Sequence, residues 1–121
     1  MTKWFDRWAR KAGVSDRSLC DAIDEMSRGL IGGKLGKTLY KKRVAAPGRG
    51  KRGAYRTLVA FKSGDRSFFL YGFAKNEKDD IKKDEERALK ALAGELLGYD
   101  VHGIARALTA KELRELRCGD E

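Results

Sequence analysis

The stretch from Leu39 to Ala74 constrains the fold of this chain more than any other, because it reads as three extended segments joined by connections too short to hold a helix. In LYKKRV, residues 39–44, Leu39, Lys41 and Arg43 fall on one side of the pleat and Tyr40, Lys42 and Val44 on the other. Lys42 is the misfit on an apolar side and reads as a side chain snorkelling from near the sheet edge. The second segment, Ala54 to Phe61, sets Tyr55, Thr57, Val59 and Phe61 on one face and Arg56 on the opposite one. Ser63-Gly64-Asp65 then turns the chain into Ser67–Ala74, which is apolar on both faces and is expected at the centre of the sheet.

Helical periodicity flanks these strands. Trp4, Phe5, Trp8, Ala9 and Ala12 mark one face of a short helix over residues 3–12, stopped by Gly13. Ser15 is the N-cap of a second helix whose apolar positions Leu19, Ala22, Ile23 and Met26 run until Gly29. The two form a hairpin with an aromatic seam, in which Trp4 and Trp8 are read as core rather than as platforms for bases. Gly29, Gly32, Gly33 and Gly36 punctuate a flexible connection carrying Lys34 and Lys37, without the Gly-Lys-Ser/Thr order of a nucleotide phosphate loop. After the strands, Ile81, Ala88, Leu89, Leu92, Leu96 and Leu97 form the buried stripe of a third helix, with Asp84, Glu85 and Glu86 at its positive N-terminal end. Thr109-Ala110-Lys111-Glu112 has the capping-box pattern and predicts a last short helix through Leu113 and Leu116.

The expected fold class is therefore α+β: an N-terminal helical hairpin packed on a small, strongly curved antiparallel sheet of three to four strands, followed by one or two C-terminal helices. At 121 residues the chain makes one core, with residues 1–98 as the principal domain and 99–121 as a helical extension of it. No apolar run approaches the roughly 20 residues that span a bilayer, and no signal-peptide pattern opens the sequence, so a cytoplasmic protein is expected. Cys20, Cys118 and the lone His102 cannot assemble a four-ligand zinc site, and the cysteines are expected as free thiols in a reducing compartment. His102 reads as a surface residue, and Cys20 as a small apolar side chain on a helix face.

Charge is concentrated on the strand region. Between Glu25 and Asp65 there is no acidic residue, while Arg28, Lys34, Lys37, Lys41, Lys42, Arg43, Arg49, Lys51, Arg52, Arg56 and Lys62 are all basic. That excess accounts for the net charge of +9 and makes nucleic acid the first partner to consider, with an anionic membrane surface second. Lys41 and Arg43 project roughly 6 to 7 Å apart from one face of a strand, close to the spacing of successive phosphates. The turn PGRGKRG, residues 47–53, holds Arg49, Lys51 and Arg52 in solvent.

Cations converging from two strands and a turn suit RNA cleavage without a metal. Attack of a ribose 2′-hydroxyl on its own phosphodiester builds charge on the non-bridging oxygens, which Lys and Arg would stabilise as an oxyanion hole does. A proton acceptor and a proton donor are also required. Lys41 or Lys78, with neighbouring cations favouring the neutral form, and Tyr55, Tyr71, Glu77 and Asp79 are the alternatives. The carboxylates Asp79, Asp80, Asp84 and Glu85 read as a helix start rather than as a magnesium site. The bland alternative is a basic solvated face that binds nucleic acid and catalyses nothing.

With YKKRV, a Gly-rich basic turn, GAYR and FAKNEKDDI in this order, residues 3–97 resemble the RelE/HigB-like toxin superfamily. The resemblance implies the toxin of a type II toxin–antitoxin pair, held inactive by a cognate antitoxin. It implies an mRNA endoribonuclease that acts on the ribosome without metal or cofactor, and contact with operator DNA only through the toxin–antitoxin complex. Carried over residue by residue, the catalytic cations are Lys41, Arg43, Arg56 and Lys78, with Lys75 and Asn76 in the same RNA-binding segment; Arg49, Lys51 and Arg52 of the basic turn then read as substrate-holding residues. RelE places a tyrosine shortly after its last basic residue, where this chain has Ile81 or Lys82, and a strand before the first helix, for which MTKWF leaves a residue or two. The same scaffold also carries ParE-like gyrase inhibitors that cleave nothing.

Overall fold

The computed structural model describes residues 1–47, 50–62, 66–74 and 80–118, with the backbone alone over 50–54. Its elements are α1 (Lys3–Ala12), α2 (Asp16–Ser27), β1 (Gly33–Lys34), β2 (Leu39–Ala46), β3 (Gly50–Phe61), β4 (Ser67–Phe73), α3 (Lys83–Leu97) and α4 (Val101–Thr109). The strands form one antiparallel sheet in the order β1-β2-β3-β4.

The first two helices begin and end where their caps dictate. Thr2 accepts from the Phe5 N–H and Ser15 from the Ser18 N–H, while Gly13 closes α1 in the left-handed region at φ 77°. Each helix packs on the sheet, α1 against β4 and α2 against β2. The aromatic seam accordingly lies between α1 and the strands. Phe5 stacks on Phe69 at 5.0 Å between ring centroids, and Trp8 meets Tyr55 edge-on at 5.3 Å. A Cβ at Gly72 would overlap the Trp8 indole, so the glycine in FFLYGF is the seat of that ring. Trp4 does not join the core: it is 63% exposed, with the Lys3 ammonium over its ring.

The alternation read from β2 and β3 holds. Val44, Val59, Phe61 and Phe69 face α1 and α2, whereas Leu39, Leu58, Ala60, Phe68, Leu70 and Phe73 face α3 and α4. The sheet is thus the middle of three layers. β4 is at the end of the strand order, with β3 inside it. It is apolar on both faces because helices cover both, and an irregularity against Leu58/Val59 puts Leu70 and Tyr71 on the same side. Lys42 does not snorkel: it is buried, its Nζ 2.8 Å from Glu25 Oε1 of α2 and donating to the Leu30 carbonyl at 2.8 Å.

Four further expectations change. The glycine-punctuated connection contains β1, and a Cβ at Gly32 would come within 2.7 Å of the Lys41 carbonyl oxygen. β3 starts at Gly50, paired with Ala46, so Lys51 and Arg52 belong to a strand backbone rather than to a turn. Thr109 ends α4 instead of capping a later helix; the cap of α4 is Asp100, which accepts from the Gly103 N–H at 2.7 Å. In α3, Ala93 is fully buried while Ala88 is exposed, and Ile81 precedes the helix.

Residues 110–118 return to the N terminus. Thr2 bridges Leu113, the Thr2 N–H donates to the Phe69 carbonyl, and Arg114 N–H donates to the Met1 carbonyl at 2.8 Å. The strand expected before the first helix is therefore reduced to residues 1 and 2, wedged between β4 and the C-terminal segment. Arg114 reaches Asp6 at 2.9 Å and Asp16 at 3.0 Å. The cysteines are not free thiols: the returning segment brings Cys118 onto α2, where it forms a disulfide with Cys20 across Cα atoms 5.5 Å apart. Among the described residues no helix is long and apolar enough to cross a membrane.

Candidate active site

The face of the sheet under α3 changes character along the strands. The Leu39–Ala60–Phe68 row is apolar and buried. One step along, Lys41 lies opposite Leu58, which lies opposite Tyr71. At the next row Arg43 stands directly opposite Arg56, itself opposite Phe73. Three of the four expected catalytic cations thus share one face, at the end where the chain leaves β4 toward Asp80. Arg43 is exposed and Lys41 and Arg56 are half-buried, and their backbones are fixed by the β-ladder.

Asp80 is the residue sequence reasoning misplaced. It lies outside the first turn of α3, which begins at Lys83, and its Oδ2 accepts from Lys41 Nζ at 2.7 Å while its Oδ1 accepts from the Ile81 N–H at 2.8 Å. The Lys41 hydrogen bond holds the Asp80 carboxyl below its usual range, with the Ile81 N–H and the charges of Lys41 and Arg56 acting the same way and burial opposing. No local pattern could have revealed a contact 39 residues apart in sequence. In this arrangement Lys41, one of the expected catalytic cations, donates to Asp80.

The two tyrosines separate by face. Tyr55 lies on the α1/α2 side, its hydroxyl donating to the Ala12 carbonyl at 3.4 Å. Tyr71 lies on the cationic side, its ring 6.0 Å from that of Phe73, and diagonal to Arg56 across the β3–β4 pair. Strand parity alone marks Tyr55 as inward; the irregularity in β4 that brings Tyr71 to this face has no sequence signature. His102 is exposed on α4.

Arg49, Lys75, Asn76 and Lys78, with Glu77 and Asp79, lie outside the described residues, as do the side chains of Lys51 and Arg52. Among the described residues no group of three or more His, Cys, Asp or Glu is placed to hold a metal ion.

A family model described as the RelE toxin of the RelE / RelB toxin-antitoxin system matches residues 1–116. The chain belongs to the RelE toxin family. A toxin of this family has an antitoxin as its partner, which agrees with the resemblance carried by YKKRV, GAYR and FAKNEKDDI. Neither the curated proteins nor the solved structures gave a match. Membership comes from the match over residues 1–116 as a whole.

Proposed function

We propose that this RelE-family toxin is an endoribonuclease that cuts mRNA on translating ribosomes in the cytoplasm, without metal or cofactor, and that its antitoxin restrains that activity. The observation that carries the reading is the direct opposition of Arg43 and Arg56, one row from Lys41, on a single sheet face. Like charges facing each other across strands cost stability. An anion seated between them converts that cost into binding, and two guanidinium forks match the oxygens of a phosphodiester.

With an RNA phosphate on this face, the 2′-oxygen forms a bond to phosphorus as the bond to the 5′-oxygen breaks, giving a 2′,3′-cyclic phosphate and a 5′-hydroxyl. Arg43, Arg56 and Lys41 stabilise the charge gathering on the non-bridging oxygens, each donor worth about 3–4 kcal/mol by analogy with an oxyanion hole. Tyr71 gives its hydroxyl proton to the leaving 5′-oxygen, and the 2′-hydroxyl proton leaves to water at the open face. Lys78 completes the cation set, and Arg49, Lys51, Arg52, Lys75 and Asn76 hold the flanking RNA; these roles come from the resemblance and from charge. Operator DNA is met only through the toxin–antitoxin complex.

Expression of the toxin alone, followed by primer extension on a translated message, should show cuts that disappear with Arg56→Ala. Intact message with arrested growth, together with loss of gyrase supercoiling activity in a purified assay, would replace this reading with that of a non-cleaving gyrase inhibitor.

A further inference from the structure

The ion pair between Lys41 and Asp80 sits where the phosphate-binding reading needs a cation available. Its geometry is that of a strong contact, at 2.7 Å, yet both partners remain reachable, with side chains 33% and 52% exposed. Asp80 brings a carboxylate and one negative charge to a face on which, among the described side chains of β2 and β3, the charged ones are Lys41, Arg43 and Arg56. The Arg56 charge also acts on it. In chemical terms the carboxylate stands in for one phosphate oxygen at Lys41: its Oδ2 accepts from Lys41 while its Oδ1 is held by the Ile81 N–H. An exposed pair of this kind contributes little to stability, so displacing it needs no unfolding.

We infer that Asp80 is an internal counter-ion that occupies part of the phosphate site and sets its selectivity. An RNA must displace the carboxylate from Lys41 before that lysine meets a phosphate. A strand held by several simultaneous contacts does so, and one touching the site through a single phosphate does not. Asp80 thereby suppresses binding to stray RNA, and its removal makes the site tighter and less discriminating. This inference rests on the nucleic-acid reading of the cationic face.

The test is the binding of a non-cleavable 2′-O-methyl single-stranded RNA oligonucleotide to the full chain across a salt series. For Asp80→Asn the expected result is affinity raised about fivefold, the scale of an exposed ion pair. The salt dependence should steepen by about 0.7 in log–log slope, since one more cation is released to neutralise phosphate. In a Lys41→Met background the same substitution should change neither quantity. Wild-type binding that Asp80→Asn leaves unchanged or weakens, with an unaltered salt slope and an intact melting transition, would overturn the inference and leave the nucleic-acid reading standing. Absence of salt-sensitive RNA binding by the wild type would overturn that reading, and the inference with it.

Discussion

Tyr55 and Tyr71 lie on paired strands but on opposite faces of the sheet, so removing one hydroxyl at a time separates chemistry from packing. Tyr71→Phe should lower the cleavage rate about 10²- to 10⁴-fold, the range for a positioned acid or base, while RNA binding is retained. Tyr55→Phe loses a hydrogen bond to Ala12 and should leave the rate unchanged. Single-turnover kinetics on ribosome-bound message measures both. The Asp80 carboxyl offers a second readout at this scale. Its folded pKa lies below the ordinary carboxylate value, so the stabilisation it brings is present above that value and lost as the pH falls through the folded one. Lys41→Met should move the Asp80 titration, followed by NMR, back up toward the ordinary range; an unmoved titration would mean that the ion pair does not form in solution.

At the scale of elements, the Lys42–Glu25 pair ties β2 to α2 in a setting where neither charge is well solvated, with side chains 8% and 17% exposed. Lys42→Met takes the lysine's charge away from Glu25 and should lower stability by up to about 3–5 kcal/mol, whereas joint replacement of both by apolar residues of similar volume should recover most of the loss. Denaturant unfolding of the single and double variants decides this. The same residue marks what the sequence disclosed. Parity alone put Lys42 on the α2 side, and put Lys41, Arg43 and Arg56 together on the other, because side-chain direction in a strand is set by local geometry. The partners were not legible. That Lys42 ends in an ion pair rather than in solvent depends on Glu25, and the lysine beside it is claimed by Asp80. The place of β4 at the edge was misread for a related reason: an apolar pattern reports cover on both faces but not whether a further strand lies alongside. The capping box at Thr109 lost to Asp100, whose carboxylate starts α4 eight residues after the last buried turn of α3 begins at Ala93.

For the whole molecule, helices pack on both faces of the sheet, and the described cations Lys41, Arg43 and Arg56 share its α3 side near the end of β4. The ends of the chain lie along β4. Met1 and Thr2 are held between β4 and residues 112–114, and the Cys20–Cys118 disulfide spans 98 residues of sequence. Cross-linking so long a loop restricts the unfolded chain, so Cys20→Ser should lower stability by about 2–4 kcal/mol, with dithiothreitol producing the same shift in the wild type. Arg114, bound to Asp6 and Asp16, keeps the segment docked when the disulfide opens, so the cationic face and its RNA binding should survive reduction. The disulfide and the cationic face are thus expected to act separately, the first on stability and the second on the proposed substrate.

The central claim is that a cationic sheet face drives attack of the RNA 2′-hydroxyl on its own phosphate. The most direct test is the chemistry of the cut ends produced by the purified toxin on ribosome-bound message. The expected products are a 2′,3′-cyclic phosphate on the upstream fragment and a 5′-hydroxyl on the downstream one, both lost with Arg56→Ala. A 3′-hydroxyl with a 5′-phosphate would show that water, not the ribose, is the nucleophile, and would contradict that claim.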